Sequence, residues 1–380
     1  MKIGIEISPL VLGKKTGIGW YAYNLIKNFK KIDEGNFYIL FGSSIRDYRK
    51  KIKSLKEEFE CENIKINMKF LPGRIHNYLF QIFMPVEFLY GSFDIIHTLH
   101  PFSPVKFKAK YIATIHDLTP LISNEWFLKE DSLKFRFIIK KTTERADKII
   151  TDSNSTKKDI VRFFDYPEEN IEVVYLASDD IYKPLENKKE IEGIKRKYGI
   201  SKKYILFVGT IEPRKNLVRL LSVFEKLKNK FKEYQLVIVG QIGWMSEKFF
   251  EKLKNLPENV KRDIILTGYI PREDMVFLYN GCELFIYPSL YEGFGIPVLE
   301  AMSCGVPVIT SNVSSLPEVG GDACVYVNPY DEEDILYKME KVLNSEGLKK
   351  EMSKKGLERA KLFSWEKTAE KTLKVYKNTK

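Results

Sequence analysis

Short apolar segments alternate with segments that repeat apolar residues at helical spacing, and this alternation runs through the chain twice. Strands that alternate with helices form a parallel sheet with helices on both faces. A polar stretch, residues 177–186, separates the two series. At 380 residues the chain is also too long for one ordinary core. The sequence therefore predicts an α/β protein with two parallel-sheet domains.

The spacing of apolar residues gives approximate bounds for these elements. In the first series the predicted strands are 2–8, 37–41, 64–68, 94–98, 111–116, 148–151 and 171–176, the predicted helices are 20–29, 75–89 and 127–145, a loop covers 9–19, and a capping box at 156–159 opens a further helix. In the second series the predicted strands are 204–208, 235–239, 264–266, 284–287, 307–309 and 323–327, and the predicted helices are 217–231, 247–256, 332–343, 347–362 and 368–376. Ligands of such sheets bind outside the carboxyl ends of the strands, so we expect two such edges to face each other across a cleft.

One loop, Tyr291–Glu300, combines the features of a ligand site. It follows an apolar strand, two glycines flank Phe294, and Pro297 suits the first turn of a helix. We therefore expect Glu292 in the loop and Glu300 a little over two turns into the helix. The free N–H groups and the positive end of a helix favour an anion. The loop predicts a phosphate-bearing substrate held between two carboxylates.

A second loop, Gly209–Asn216, lies between a predicted strand and a predicted helix. It delivers Arg214 and Lys215 to the carboxyl end of the strand, where adjacent cations can neutralise a diphosphate without a metal. The alternative is that both are solvated residues at a helix start. Basic side chains are unfavourable at that end unless an anion is near, which favours the diphosphate interpretation.

A third loop contains Gly17 and Gly19 followed by Ala22, which fits the pattern G-x-G-x-x-A. A dinucleotide fingerprint needs a tight turn directly after the strand and an acidic residue at the end of the next strand. Here the loop is long, and Phe41 and Gly42 stand where the acidic residue would be. The pattern favours a glycine loop close to a ligand phosphate over a nicotinamide site. The chain contains no P-loop motif.

A histidine, His116, ends a predicted strand, which is a suitable position for a site residue. The alternative is a histidine whose hydrogen bonds are satisfied by the backbone. His97 and His100 could be joined with it as metal ligands, but no cysteine or carboxylate cluster accompanies them. The sequence predicts no bound metal and no cofactor.

The net charge of +11 is spread through the chain. It favours an anionic partner, such as a nucleotide, nucleic acid or an anionic membrane, or it reflects a lysine-rich solvated surface. The aromatic stretch Tyr78–Tyr90 and the helix around Lys134–Lys141 are compatible with peripheral membrane contact or with a buried core that has a basic outer face. No apolar run is long enough to span a bilayer, and no signal peptide opens the chain.

Four cysteines lack C-x-x-C spacing, so they are expected to be reduced and mostly buried. These features predict a cytoplasmic protein that is at most peripheral on the inner face of the membrane.

Together the motifs resemble the retaining glycosyltransferases of family four, the mannosyltransferase-like glycosyl transferases group 1, and the resemblance covers almost the whole chain. The segments that carry it are the E-x7-E pair Glu292 and Glu300, the basic loop Gly209–Asn216, the glycine loop Gly17–Gly19, the histidine segment His116–Leu118 and the closing helices Phe363–Tyr376. Many members of the family have an arginine immediately after the glycine of the basic loop, and this chain has Thr210 there.

The resemblance implies the GT-B fold, in which two Rossmann-like domains face each other across a cleft. Residues 1–180 would form the acceptor-side domain, residues 181–363 the nucleotide-sugar-binding domain, and a C-terminal helix within 364–380 would cross back to the first domain. The implied site has Glu300 on the ribose, Arg214 and Lys215 on the diphosphate, Glu292, His116 and the backbone of Phe294, Gly295 and Ile296 on the sugar, and Gly17 and Gly19 near the donor.

The implied activity is retaining, metal-independent transfer of a hexose to a glycan or lipid-linked acceptor in cell-envelope polysaccharide synthesis. The loop G-T-x-E-P-R-K-N and the segment Ser315–Val319 resemble those of mannosyltransferases, which suggests GDP-mannose, while UDP- and dTDP-sugars stay open. The rival interpretation is a non-catalytic protein that binds a nucleotide sugar or nucleic acid. No basic groove interleaved with aromatic residues supports nucleic-acid binding.

Overall fold

A computed structural model of the chain describes residues 1–11, 17–79, 84–101 and 108–379. The chain divides into two compact units. The first comprises Met1–Leu121, Lys129–Leu176 and Ser364–Lys380, and the second comprises Ile122–Leu128 and Ala177–Phe363. The acceptor-side and donor-binding roles of these parts of the chain stay predictions.

The first unit contains a parallel sheet of seven strands in the order β3-β2-β1-β4-β5-β6-β7. Its strands are β1 (Lys2–Glu6), β2 (Phe37–Ser43), β3 (Ile64–Lys69), β4 (Ile95–Thr98), β5 (Lys110–Ile115), β6 (Lys148–Thr151) and β7 (Ile171–Val173). Its described helices are α1 (Ser8–Val11), α2 (Gly17–Ile32), α3 (Tyr48–Phe59), α4 (Gly73–Tyr78), α5 (Glu87–Tyr90), α6 (Thr119–Ile122), α7 (Lys129–Arg145) and α8 (Asn154–Phe164). The strand order reverses between β1 and β4, and crevices for ligands form at such switch points.

The second unit repeats this plan with a parallel sheet of six strands in the order β10-β9-β8-β11-β12-β13. Its strands are β8 (Lys203–Val208), β9 (Tyr234–Val239), β10 (Ile264–Gly268), β11 (Leu284–Tyr287), β12 (Val308–Ser311) and β13 (Val325–Val327). Its helices are α9 (Lys188–Lys197), α10 (Leu217–Leu227), α11 (Glu247–Asn255), α12 (Glu258–Lys261), α13 (Arg272–Gly281), α14 (Ile296–Ser303), α15 (Leu316–Gly320), α16 (Glu332–Leu343) and α17 (Glu346–Ala360). The switch point here lies between β8 and β11.

The last helix, α18 (Trp365–Thr379), belongs to the first unit, as predicted. The hydroxyl of Tyr376 lies 2.7 Å from Nδ1 of His97, and both side chains are fully buried. The hydroxyl of Thr368 donates to the carbonyl of Tyr175 at 2.7 Å. These bonds and the burial of the apolar face fix α18 in the core of a unit whose other helices and strands end at Val173.

Several predicted bounds were wrong near the N-terminus. Ser8 does not continue β1 but begins α1, and the predicted loop at 9–19 ends early because Gly17 and Gly19 form the first turn of α2. Residues 12–16 of that loop lie outside the described residues. The glycines are thus helix-start residues, which changes how they could meet a ligand.

The single buried helix predicted for 75–89 is also wrong. The structure has α4 and α5 instead, and Pro85 lies between them, where it cannot continue a helix. Residues 80–83 lie outside the described residues. Phe88 and Tyr78 are 77% and 55% exposed, so this stretch is not all core.

Other differences concern polar segments. The N-cap of α8 is Ser153, whose hydroxyl accepts from the Thr156 N–H at 3.1 Å, and Thr156 does not cap the helix as predicted. Helices α3 and α9 were missed because they bury few apolar residues, Leu55 and Phe59 in α3 and Ile191 in α9.

The four cysteines are free thiols, and two of them, Cys304 and Cys324, are buried. None of the helices in the described part of the chain combines the length and apolarity that a membrane crossing needs.

Candidate active site

Two loops meet at the switch point of the second sheet, as the sequence predicted. The loop Gly209–Asn216 follows β8, and the loop 288–295 follows β11. The N–H of Leu290 donates to the carbonyl of Arg214 at 2.8 Å, and the amide of Asn216 donates to the carbonyl of Pro288 at 3.0 Å. The first loop also lies close to Gly240, the residue that follows β9. A Cβ on Gly240 would lie 1.9 Å from the carbonyl oxygen of Gly209. The backbone therefore holds both loops at one place.

The second loop turns into α14 at Gly295, whose φ of 104° is unfavourable for any residue with a side chain. The hydroxyl of Ser315 donates to the carbonyls of Glu292 and Phe294, both at 2.9 Å, and the N–H of Glu292 donates to Ser314 Oγ at 2.9 Å. Ser315, at the start of α15, therefore holds the loop in place through these hydrogen bonds. Its role was missed, although the segment Ser315–Val319 carries part of the family resemblance.

A buried charge cluster occupies this place. The Nζ atom of Lys215 lies 2.6 Å from Oε1 of Glu292, and Nη1 of Arg214 lies 2.8 Å from Oε2 of the same carboxylate. Nη2 of Arg214 also lies 2.6 Å from Glu212 Oε1, and Lys215 Nζ donates to the Tyr287 hydroxyl at 2.6 Å. Two cations thus balance two carboxylates, so the predicted basic pair and the predicted sugar-binding carboxylate are in direct contact.

The two carboxylates of the cluster differ in their pKa values. Burial by itself raises the pKa of Glu292, but Arg214 and Lys215 outweigh it and lower the value to about 2. Burial raises the pKa of Glu212, and the same two cations offset this increase only in part. Glu292 is therefore ionised at neutral pH and is the carboxylate that holds both cations.

Glu300 lies on α14, but closer to its start than predicted. It is the fifth residue of a helix that begins at Ile296, a little over one turn and not two, because Gly295 has a left-handed backbone and cannot belong to the helix. Its Oε2 accepts from the hydroxyl of Tyr279 at 2.8 Å. Burial raises the pKa of Glu300. The residue as a whole is half-buried.

The backbone of Phe294 and Gly295 leads into α14, which begins at Ile296, and the positive end of the helix dipole there favours an anion. The ring of Phe294 is buried and meets the ring of Phe363 edge-on at 5.9 Å. The ring of Phe294 is therefore occupied by packing, and the backbone role that the resemblance implies stays a prediction.

The remaining predicted residues lie in the first unit. Gly17 is exposed and Gly19 is buried at the start of α2. His116 follows β5, with Nδ1 at 2.7 Å from Asp152 Oδ2 and Nε2 at 3.0 Å from the Leu99 carbonyl. The ring is not satisfied by the backbone alone, because a carboxylate that follows β6 holds its other side.

The alternative of a histidine metal site finds no support in the contacts. His97 bonds Tyr376 and the Thr114 hydroxyl, while Nδ1 of His100 lies 3.3 Å from Glu6. Within the described part of the chain, no group of three or more histidine, cysteine or acidic side chains could hold a metal ion.

Comparisons with known proteins agree with this plan. The family Glycosyltransferase Family 4 matches residues 16–180, and the family Glycosyl transferases group 1 matches residues 190–359. The O-antigen chain mannosyltransferase B of Escherichia coli is 32% identical over 99% of this chain and 100% of its own length. The chain belongs to the family-four glycosyltransferases, also called glycosyl transferases group 1.

Solved structures show the fold of this glycosyltransferase. A sucrose-phosphate synthase from Thermosynechococcus elongatus superposes with a TM-score of 0.75 at 18% identity. The superposition covers 99% of this chain and 98% of the synthase chain. The Anabaena protein Alr3699/HepE, in a crystal structure with UDP-glucose, has a TM-score of 0.75 at 13% identity, with full coverage of both chains. The glycosyltransferase has the GT-B fold.

Besides Ser315, sequence reasoning missed three polar residues of the glycosyltransferase. Glu212 lies in the same loop as Arg214, and the motif G-T-x-E-P-R-K-N already contained it. Tyr287 ends β11, and Asp152 directly follows β6. Polar side chains at the carboxyl ends of parallel strands are the signal that could have found the last two.

Proposed function

We propose that the protein is a retaining mannosyltransferase that moves mannose from GDP-mannose to a glycan or lipid-linked acceptor in cell-envelope polysaccharide synthesis. The observation that carries the proposal is the buried cluster of Arg214, Lys215 and Glu292 beside the start of α14. The choice of mannose is supported by the O-antigen chain mannosyltransferase B, to which the chain is similar over its full length.

The cluster suits a nucleotide sugar because its two cations already lie close together, as the binding of a diphosphate requires. Arg214 and Lys215 would bind the diphosphate together with the free N–H groups at the start of α14. Glu292, released from the cations, would bind the sugar, and Glu300 would bind the ribose hydroxyls. Each well-placed donor to a developing anion is worth roughly 2–4 kcal/mol in a water-excluded site.

The contacts to the donor would extend beyond the cluster. The backbone of Phe294, Gly295 and Ile296 is proposed to hold the sugar and its phosphate. We also assign donor contacts to His116, Gly17 and Gly19, in keeping with their positions at a β-strand end and a helix start.

In the proposed step, the bond between the anomeric carbon and the phosphate oxygen breaks while the acceptor oxygen bonds to the same carbon. The transition state resembles an oxocarbenium ion. The acceptor hydroxyl attacks from the face that the diphosphate leaves, so the configuration is retained, and its proton passes to the departing phosphate oxygen. Arg214 and Lys215 stabilise the leaving charge, so that a metal ion is not required.

Peripheral membrane contact is also part of the proposal, because a lipid-linked acceptor resides at a membrane. Leu133 and Phe137 on α7 are 58% and 63% exposed, and lysines and arginines flank them. An exposed apolar pair with basic neighbours suits an anionic lipid surface. The protein would work on the cytoplasmic side. Cosedimentation with anionic vesicles should weaken when both residues are changed to serine, and equal binding by the variant would contradict the contact.

The experiment that tests the function is a donor assay with purified protein and a panel of GDP-, UDP- and dTDP-sugars, with and without EDTA. We expect GDP-mannose to be turned over in EDTA, with an α-linked product. Preference for a UDP-sugar would favour the second candidate, which the UDP-glucose complex of the Anabaena protein motivates. Binding without turnover of any donor would favour the non-catalytic interpretation, and loss of activity in EDTA would contradict metal independence.

A further inference from the structure

Both ring nitrogens of His116 lie against oxygen atoms that accept hydrogen bonds. Nδ1 lies 2.7 Å from Asp152 Oδ2, and Nε2 lies 3.0 Å from the carbonyl oxygen of Leu99. A carbonyl never donates, and a carboxyl group donates only when it is protonated. Nε2 therefore carries a proton, and a second proton lies between Nδ1 and Asp152.

The position of Asp152 favours placing that second proton on the histidine. Asp152 is 2% exposed and directly precedes Ser153, the N-cap of α8, whose positive helix end stabilises a carboxylate. Among the described residues, Oδ1 of Asp152 has no hydrogen-bond donor. An ionised carboxylate at such a depth needs a charged partner, and His116 is the group in contact with it.

We propose that Asp152 is a positioning residue that holds His116 as an imidazolium, so that the ring acts as a cationic hydrogen-bond donor and not as a base. The inference rests on the proposed function for the statement that His116 meets the donor. An imidazolium has no free lone pair, so it cannot take the proton of the acceptor hydroxyl. Another group must then accept that proton, which agrees with its proposed transfer to the departing phosphate.

The geometry also shows which bond a ligand can replace. The Asp152 bond fixes one edge of the ring, and Tyr21 meets the ring edge-on at a centroid distance of 4.8 Å. The Thr156 hydroxyl donates to the backbone carbonyl of His116 at 3.2 Å. A ligand oxygen can therefore take over the Nε2 proton from the Leu99 carbonyl while the ring keeps its place.

The titratable groups that surround His116 come from four parts of the first unit. They are Asp152 before α8, Asp117 next in the chain, His97 and His100 at the end of β4, and Tyr21 on α2. Burial lowers the pKa of His97 to about 3 and also lowers that of His100. Burial alone would lower the pKa of His116 too, but Asp152, the Leu99 carbonyl and Asp117 raise it above its ordinary value. Burial also raises the pKa of Asp152, and the charge of His116 opposes that rise, so the contact geometry and the helix end decide where the shared proton lies.

Nitrogen-15 NMR of the full chain with labelled histidine tests the proposal without any substrate. The chain has four histidines, and His116→Gln assigns the signal. At neutral pH we expect both nitrogens of His116 to carry protons in the ligand-free wild type. Asp152→Asn should lower the pKa of His116 to about 6.5 or below. An unprotonated Nδ1 in the wild type, or an unchanged titration in Asp152→Asn, would overturn the proposal.

Asp117→Asn is the matched control, because it removes a neighbouring carboxylate that bonds the Thr119 N–H at 2.9 Å and does not bond the ring. It should change the pKa of His116 much less than Asp152→Asn does. In transfer assays from about pH 6 to about pH 9, kcat should fall as pH rises through the pKa of His116. Asp152→Asn should move that fall to lower pH with little change in donor KM. If no donor is turned over, the proposed function fails while the NMR result still decides this inference.

Discussion

The Glu292 carboxylate lies 2.6 Å from Nζ of Lys215, and both side chains are more than nine-tenths buried. Arg214 binds the other oxygen of the same carboxylate at 2.8 Å. The charges of the site are thus neutralised by its own side chains. Under the proposed function, an entering diphosphate competes with Glu292 for both cations, and the carboxylate becomes available to the sugar. Binding of the donor and release of Glu292 would then be one event.

Replacement of Lys215 by alanine should lower kcat with the donor by roughly a hundredfold, because one strong donor to the leaving diphosphate is lost. Steady-state kinetics with the donor found in the panel assay measure the change. Lys248→Ala is the matched control, since Lys248 is exposed on α11 and far from the cluster in the chain. A Lys215→Ala enzyme with wild-type kcat would contradict the role of this lysine.

Glu292 should stabilise the folded protein in a pH-dependent way. Its pKa is lowered to about 2 in the folded state, mainly because the cations outweigh burial, against about 4.3 when unfolded. The stabilisation is therefore present above about pH 4.3, is lost as pH falls through about 2, and is on the order of 3 kcal/mol. Urea unfolding of wild type and Glu292→Gln should differ by this free energy at neutral pH and converge in acid.

The control for that experiment is Glu251→Gln, because Glu251 is exposed on α11. It should leave the free energy of unfolding within about 0.5 kcal/mol of wild type. A Glu292→Gln protein that is as stable as wild type at neutral pH would mean that the buried pairs give no net stabilisation, which is known for other buried ion pairs.

Gly295→Ala should destabilise the protein by about 1–2 kcal/mol, because φ is 104° and a Cβ would lie 2.8 Å from Leu316. Gly193→Ala should have the opposite effect on the free energy of unfolding. Gly193 lies inside α9 with open space around its Cβ position, so alanine should stabilise the helix by about 0.5–1 kcal/mol. Thermal unfolding of both variants provides the comparison, and equal shifts would show that the turn at Gly295 tolerates a side chain.

The loop position of Glu292 and the helical position of Glu300 were predictable because Pro297 suits the first turn of a helix, but Glu300 lies one turn closer to the helix start than predicted. The contacts of Glu292 were not predictable, because the sequence does not say which of several nearby charges a side chain will face. In the sequence, Arg214 and Lys215 are simply two adjacent cations. Only the folded loops show that Glu292 and Glu212 neutralise them.

The fold was predictable where apolar spacing is strong and was missed where it is weak. The parallel strands of both sheets were found because each is a short apolar run. Helices such as α3 and α9 bury only one or two apolar residues among many lysines and glutamates, so their apolar face is narrow and was overlooked. The pairing of His97 with Tyr376 joins residues that are 279 positions apart in the chain, and local patterns contain no information about such a contact.

The two glutamates of the site should fail in different ways. Glu300 lies a little over one turn into α14 and accepts from Tyr279, so its ribose contact would be the same in the ground state and the transition state. Glu300→Gln should raise donor KM by roughly tenfold with little change in kcat. Under the proposed function Glu292 would lie where positive charge develops on the sugar, so Glu292→Gln should mainly lower kcat. Steady-state kinetics of both variants, at a temperature where both are folded, measure the split. A Glu292→Gln enzyme that keeps kcat while Glu300→Gln loses it would reverse the two roles.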